Sequence, residues 1–468
     1  MGPADTDSLP LYDGAALTAW NGRRQAAAIS PASVDAQVAE ALLALITRRC
    51  PDVRRVAVLI GAGGNGRQAA AFLKRCRTTA WQAVGVDGRQ AQGAKGLLPP
   101  CDAIVDGLVG TGLHGPLSAP YRALGAHVRA SGRPVFALDG PTGLDLATGR
   151  VAEGAIRAHF TLFCATAKVG ALTGAGREYS GETLTAEVGV PGVLDEVSVC
   201  IPGARALQAL VPRRPQDAHK GRAGTLAVVG GDRGMPGAVR MAATAAYRSG
   251  AGLVMAVVHA GHAAVLAAAF PELMAFAANA RTIPWSRVDA LLVGSGLGRR
   301  DWGARLWEEV LAMGQPLVVD GDGLYWLAQA PRARADWVLT PHEGEAARLL
   351  HTTVTAVSAD RLAAAIEIAR RFGGVCVLKG AGTLIAGGGR TWLCPAGNPG
   401  MATAGMGDAL AGTIAGLMVQ GLAPPEAARL GVFVHAHAGD RAAQAIGATG
   451  LLTSDLTACV PASLTALR

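Results

Sequence analysis

Asn398–Asp408 reads NPGMATAGMGD, and Ala409–Leu422 follows at once with ALAGTIAGLMVQGL. Gly405 and Gly407 mark a turn, and the apolar run after Asp408 has the composition of a helix. A glycine-rich turn that opens a helix presents backbone N–H groups and the positive end of the helix dipole to whatever lies in front of it. That makes an anion site. A carboxylate at the rim of a phosphate site is repelled unless chemistry needs it there. Asp408 therefore reads as a base that takes a proton from a hydroxyl as that oxygen meets a phosphoryl group. Aspartate is also a good helix N-cap, so a purely structural role is the alternative for this residue taken alone.

Upstream of this turn the pattern is α/β. Short apolar runs such as TLAVVGG, LVMAVV, ALLVGSG, PLVVDGDG and WVLTP each stop at Gly, Asp or Pro or run into a loop. Helices are expected over 237–250, over DWGARLWEEVLAM with Asp301 as its cap, and over 358–372 as one piece. GVCVLKG, TLIAGG and RTWLCP read as a group of strands before the Asp408 helix. In such sheets chemistry sits beyond the carboxyl ends of the strands. Gly296, Asp320, His342, Lys379 and Asp408 all fall there.

The Pro- and Arg-rich segment IPGARALQALVPRRPQDAHKGR (201–222) has no sustained period and divides the chain. Domains are expected at 1–205 and 206–468. The first again alternates strands with helices, with helices over 33–49, 67–77 and 121–130, which predicts a Rossmann-like, three-layer domain on a parallel sheet. Gly61–Gly66 satisfies GxGxxG after a strand, and Asp87 ends the next strand at the spacing of a ribose-binding acid. Those residues alone suggest a nicotinamide-dependent oxidoreductase. Glycine is also what any tight strand-to-helix turn needs.

Composition narrows the partners. The formal charge is +8, but the excess is Arg scattered along the chain, without a basic run or interleaved aromatics, which argues against nucleic acid. No apolar run is long enough to span a bilayer. The N-terminus lacks a secretory pattern, so the expected location is the cytoplasm. The eight cysteines lack CxxC pairs and metal-ligand spacing, as expected of buried thiols in a reducing compartment.

From residue 213 onward, HKGRAGTLAVVGGDRGMPGA, VGSGLG, VVDGDGLYWLA, LTPHEGEAARLL, VLKGAGTLIA and NPGMATAGMGD together resemble the ADP/ATP-dependent NAD(P)H-hydrate dehydratases of the ribokinase-like fold. The resemblance implies a nucleotide loop of Lys379, Gly380, Ala381, Gly382 and Thr383, with Gly407 also at the nucleotide. It implies a substrate pocket with Ala238, Gly296, His342 and Asp408, and Asp408 as catalytic base. It further implies ADP (or ATP), Mg2+ and K+ as cofactors, NAD(P)H-hydrate as substrate, and a homo-oligomer. A ribokinase-like kinase of a small vitamin-like alcohol, fused to a non-catalytic binding module, uses the same anion hole and is the competing reading.

In the first domain, IVDGLVGTGLHGP (104–116) and ALDGPTGLDLATG (137–149) resemble the NAD(P)H-hydrate epimerases, the YjeF N-terminal family. That resemblance implies potassium ligands at Asn65, Asp106 and Thr142, and Asp139 as the acid/base. Substrate contacts are implied at Gly64, Asn65, Gly66, Arg67 and Gln68, at Gly110, Thr111, Gly112, Leu113, His114, Gly115 and Pro116, and at Asp139. Four residues depart from the family's glycine loop: Arg67, Gln68 and Ala69 stand where it has Gly-Asp-Gly, and Gly64 replaces Asn. A weak or lost epimerase is the expectation.

Overall fold

The computed structural model describes residues 7–12, 14–89, 98–113, 115–190, 193 and 197–468. It forms two compact units, one built on Leu9–Ile201 and one on Pro202–Val357 with Leu362–Arg468.

In the first unit the strands are β1 (Leu9–Leu11), β2 (Arg55–Ile60), β3 (Gln82–Asp87), β4 (Ala103–Gly107), β5 (Val135–Leu138), β6 (Phe160–Cys164), β7 (Glu182–Ala186) and β8 (Val199–Ile201). The main sheet has the order β3-β2-β4-β5-β6-β7, and every pair in it is parallel. β1 and β8 pair antiparallel. β4 and β5 are buried along their whole length, as parallel strands covered on both faces must be. From β2 the chain steps to β3 in one direction, and from β4 to β5 in the other. Right-handed crossovers then place helix Gly64–Cys76 on one face and helix Ala119–Ser131 on the opposite face. This is the expected three-layer, Rossmann-like arrangement. The order reverses between β2 and β4, so the loops after Ile60 and Gly107 border the crevice.

The second unit holds β9 (Thr225–Val229), β10 (Leu253–Val258), β11 (Met274–Ala277), β12 (Ala290–Val293), β13 (Leu317–Val319), β14 (Trp337–Leu339), β15 (Val375–Leu378), β16 (Thr383–Gly387) and β17 (Arg390–Cys394). Their order is β17-β16-β15-β14-β13-β12-β9-β10-β11. The pairs from β15 to β11 are parallel, and β16 and β17 turn antiparallel. Here the order reverses between β9 and β12.

Two helix expectations need correction. Helix Asp301–Leu311 begins at Asp301, and Arg300 holds the cap position without a side-chain bond. Asp301 acts instead as a first-turn acid at the positive end of the dipole. The expected helix 358–372 is two pieces, Val354–Ala359 and Arg361–Phe372, with Asp360 between them. Among the described residues no single helix is long and apolar enough to cross a membrane. None of the eight cysteines forms a disulfide, and Cys76, Cys101, Cys200, Cys376 and Cys394 are buried.

Helix Met406–Met418 is buried on nearly every side and packs on helix Pro236–Ser249 through small residues. A Cβ on Gly412 would lie 2.1 Å from the Ala242 carbonyl oxygen. One on Gly416 would lie 2.2 Å from Ser249 Oγ. The helices therefore approach at backbone contact, and the position of Asp408 depends on that approach. Alanine is the better helix former by about 1 kcal/mol. Overpacking against a carbonyl that cannot turn aside costs about 1–3 kcal/mol or more, so the clash wins. Gly412→Ala should lower the thermal midpoint of the second unit by several degrees. Gly314→Ala, where an added Cβ meets nothing within 4 Å, should not. Calorimetry of both variants checks the contrast, and equal midpoints would refute it.

Candidate active site

At the reversal in the second unit lies a cleft of about 330 Å³. It is lined by Gly234, Met235, Gly237, Ala238, Gly294, Ser295, Gly296, Arg299, Gly321, Asp322, Glu345 and Asp408. The volume is at the low end for small-molecule pockets. Ala238, Gly296 and Asp408, far apart in sequence, thus meet as the motifs suggested. Gly296 has φ +60, and a Cβ there would come within 2.8 Å of Met235 Cβ, so glycine is obligatory. Two helices start at this cleft without a side-chain cap: Pro236–Ser249 and Met406–Met418. Their first-turn N–H groups favour an anion. Gly405, at φ +87, is the N-cap of the second helix. Asp408 lies inside the first turn, so the N-cap reading of this aspartate falls.

Asp408 belongs to a group of acids set around one lysine. Lys379 Nζ is 2.6 Å from Asp320 Oδ1 and 3.7 Å from Glu345 Oε2. Asp320 also accepts from the Thr340 hydroxyl at 2.7 Å. Burial pushes the Asp408 carboxyl up to about 7, and the charge of Asp320 adds to the rise. The Ser295 hydroxyl and Lys379 oppose it. Burial likewise raises Glu345. Burial pulls Lys379 down, but Asp320 and Glu345 hold its ammonium above its ordinary value. The result is a carboxylate that can exchange a proton near neutrality at the mouth of an anion site, a suitable base for an alcohol.

Other expected residues have different surroundings. Lys379 opens the KGAGT loop, yet its ammonium turns inward to the acids. A Cβ on Gly407 would sit 3.2 Å from Lys379 Nζ, so glycine leaves room for that ammonium. Thr383 gives its hydroxyl to the Gly380 carbonyl at 3.0 Å, which closes the turn. His342 caps helix Glu343–Leu350: its Nδ1 accepts from Gly344 N at 2.9 Å, and Glu345 returns a bond to His342 N. The ring is otherwise exposed. His342, Gly407 and the loop Lys379–Thr383 do not line this cleft. Sequence reasoning passed over Ser295, which is 1% exposed and whose Oγ lacks a partner in good geometry. It sits inside the VGSGLG string, of which only Gly296 drew notice. Arg299, held by Asp322 at 2.8 Å and stacked on Tyr325, was also missed.

The first unit assembles a second polar site at its own reversal. The Thr142 hydroxyl and N–H donate to Asp106 at 2.7 Å each, and Leu108 N donates at 3.2 Å. Asn65 Nδ2 donates to Leu138 O at 2.6 Å. Burial pushes Asp106 up to about 6. Among the described residues no cationic side chain pairs with it. Asp139, in the left-handed region at φ +57, accepts from Lys168 Nζ at 2.5 Å and from Cys164 N at 3.0 Å. Lys168 was missed as a partner, although it lies in the chain's ATAKVG string.

Arg67 is exposed and pairs with Asp35. Its Nε donates to Asp35 Oδ2 at 2.7 Å, on helix Pro31–Arg49. Gln68 is buried, gives its amide to Cys164, and keeps an unpartnered Oε1. Gly110 packs on Asn65, while Thr111, Gly112, Gly115 and Pro116 are exposed and Leu113 partly so. His114 lies outside the described residues. Gly61 and Gly66 answer to sterics: added Cβ atoms would strike Leu108 O at 1.8 Å and Gly61 O at 1.9 Å. Asp87 is clamped by three bonds from Arg89, which removes the ribose-binding acid of the oxidoreductase reading.

Residues 226–462 match the family model described as NAD(P)H-hydrate dehydratase. Residues 74–170 match the one described as YjeF-related protein N-terminus, a match that begins beyond the altered glycine turn. The bifunctional NAD(P)H-hydrate repair enzyme Nnr of Coxiella burnetii is 38% identical over 459 residues, covering 92% of this chain and 94% of that protein. Its namesake in Vibrio cholerae is 40% identical over 362 residues, covering 76% and 73%. The ADP/ATP-dependent NAD(P)H-hydrate dehydratase of Bacillus subtilis, crystallised with ATP and Mg2+, has a TM-score of 0.52 at 28% identity. It covers 57% of this chain and 98% of that one.

Proposed function

The chain belongs to the bifunctional NAD(P)H-hydrate repair enzymes, and on that premise we propose that its second unit dehydrates (S)-NAD(P)H-hydrate with ADP. The dehydratase domain is assigned to 206–468 and the epimerase-type domain to 1–205. The observation that carries the reading is Asp408, poised near neutral pH beside two uncapped helix N-termini. The hydrated ring carries a hydroxyl, a poor leaving group. Asp408 takes the hydroxyl proton as that oxygen attacks the terminal phosphoryl of ADP, and AMP leaves. Phosphate then departs from the ring carbon, the neighbouring carbon gives up a proton, and the double bond returns. N–H donors at the helix ends stabilise charge on the phosphoryl oxygens, an effect of about 3–4 kcal/mol per well-placed donor in comparable sites. Ala238 and Gly296 leave space for the ring.

Magnesium finds no cage in these residues. Asp320 and Glu345 are engaged by Lys379, and Glu345 also closes a capping box. No step here runs through it.

Asp408→Asn should keep ADP binding and lose turnover by about 10²–10⁴-fold. In the parent, kcat should rise with pH through about 7 as Asp408 ionises. Chromatography of AMP and NAD(P)H from (S)-hydrate and ADP reads both. Near-parental turnover in the asparagine variant would sink the role of the base.

Potassium fits the first unit better. Asp106 is buried and lacks a cationic partner among the described residues, with the Thr142 hydroxyl and Asn65 amide beside it. Those oxygens suit a hard monovalent cation, which would neutralise the carboxylate and hold the loops after β2 and β4 together. Potassium at constant ionic strength should therefore raise the melting midpoint of the first unit relative to sodium, and Asp106→Asn should abolish the difference. A potassium response that survives in Asp106→Asn would exclude this site.

The epimerase reaction itself is weak in this reading. Arg67 puts a bulky cation at the turn, and Gln68 carries no charge where the family has an acid. Conversion of R to S hydrate should run little faster than the spontaneous reaction. Gly64→Asn, Arg67→Gly, Gln68→Asp and Ala69→Gly together should raise it; at Gly64 an added Cβ meets nothing within 4 Å. The measurement is epimer interconversion without ADP. Rapid, potassium-stimulated interconversion by the parent chain would overturn the idea.

A further inference from the structure

We propose that Lys379 is a positioning residue for the base rather than a phosphate contact of the loop it opens. By pairing with Asp320 and Glu345 it leaves Asp408 as the acid of the three that exchanges a proton. This rests on the dehydratase reading and deepens it.

The geometry is specific. Lys379 directly follows β15, Asp320 directly follows β13, and Glu345 lies in the first turn of helix Glu343–Leu350. Lys379 Nζ reaches Asp320 at 2.6 Å and Glu345 at 3.7 Å, and its side chain is only 17% exposed. Both acids have a further fixed donor: the Thr340 hydroxyl for Asp320 and His342 N for Glu345. Asp408 is set differently, with the Ser295 hydroxyl near it and Lys379 acting from further off. Other charged or titratable groups in this neighbourhood are already engaged. Arg299 and Asp322 pair with each other across the cleft. His342 is a helix cap. His435, on helix Pro424–Ile446, is buried and held neutral by that burial, with Lys379 adding to the effect.

Moving the ammonium out to a phosphate would strand two buried carboxylates, a costly state. The absence of a side chain at 407 has the same meaning, since a Cβ there would press on Nζ. Three acids and one cation cannot all stay charged at low dielectric. Lys379 is shared by two of them, and the third is left without a cation of its own.

The test uses the full chain with two variants of opposite sign. Lys379→Met removes a positive charge, so the acidic limb of kcat should move up by about one pH unit or more. Asp320→Asn removes a negative charge that raises Asp408, so the limb should move down. The KM for ADP should change less than about threefold in both. A tenfold rise in KM for ADP in Lys379→Met with an unmoved limb would make Lys379 a nucleotide ligand and overturn the proposal. If Lys379→Met does not fold, Asp320→Asn and the charge-conserving Lys379→Arg decide: a lowered limb in the first and a parental one in the second support it, and a parental limb in the first refutes it. Carbon NMR titration of the Asp408 carboxyl, assigned with Asp408→Asn, reads the same shifts without turnover. A parent that fails to dehydrate hydrate with ADP would therefore refute the dehydratase reading while leaving the lysine's role measurable.

Discussion

The reversal of strand order in each parallel sheet is the constraint from which the rest follows. Where neighbouring strands lead away to opposite sides, the loops beyond their carboxyl ends splay and leave a crevice. Within it the backbone is crowded. A Cβ on Gly294 would lie 1.7 Å from Asp320 O, and one on Gly230 would lie 2.1 Å from Ser295 O. Glycines are required there on steric grounds before any ligand is considered. The same closeness brings uncapped helix starts together, so a site for anions follows from the topology. The first unit repeats the arrangement between β2 and β4, with Gly61 against Leu108 and the polar group Asn65, Asp106 and Thr142 at its edge.

Charge then sorts the residues in each crevice. A buried carboxylate is tolerated if a cation or several donors hold it. Asp139 has Lys168, and Asp320 and Glu345 have Lys379. Asp106 has donors but no cationic side chain among the described residues, and Asp408 has only a nearby hydroxyl and a distant ammonium. Burial raises the carboxyls of both acids left short of positive charge, Asp106 to about 6 and Asp408 to about 7. They are the two proposed as a cation ligand and a proton acceptor.

Much of this was legible in the sequence because it is local. The glycine turn and apolar helix at 405–418 and the strands ending at Gly or Asp are each written within a few residues. Ala238, Gly296 and Asp408 were found through motifs that a shared cleft turns out to unite. Pairing across the sheet was not legible. Lys379 and Asp320 are 59 residues apart and meet only because β15 and β13 flank β14. A lysine before a glycine loop looks like a phosphate contact until that neighbour is known. The partner of Arg67 was equally out of reach: Asp35 lies on another helix, 32 residues away. The helix expected across 358–372 failed for a local reason, since an apolar period continues through Asp360 while the backbone does not.

The altered turn of the first unit is internally consistent, which bears on what it can still do. Arg67 is tied to Asp35, Gln68 to Cys164, and Ala69 packs where a Cβ on Gly107 would come within 2.5 Å of it. Each of the three side chains standing where the family has Gly-Asp-Gly has a neighbour that fits it. Together they tie the first turns of helix Gly64–Cys76 to helix Pro31–Arg49, to Gly107 of β4 and to Cys164 of β6. Such exchanges stabilise a fold and characteristically lower an activity that needs loop freedom. The potassium-type cluster next to the turn is untouched by them, because Asn65, Asp106 and Thr142 bond among the strands and not to the turn's side chains. The residues proposed to hold a cation and those proposed to weaken epimerisation thus have separate side-chain partners in this unit, although both sets include the first turns of helix Gly64–Cys76.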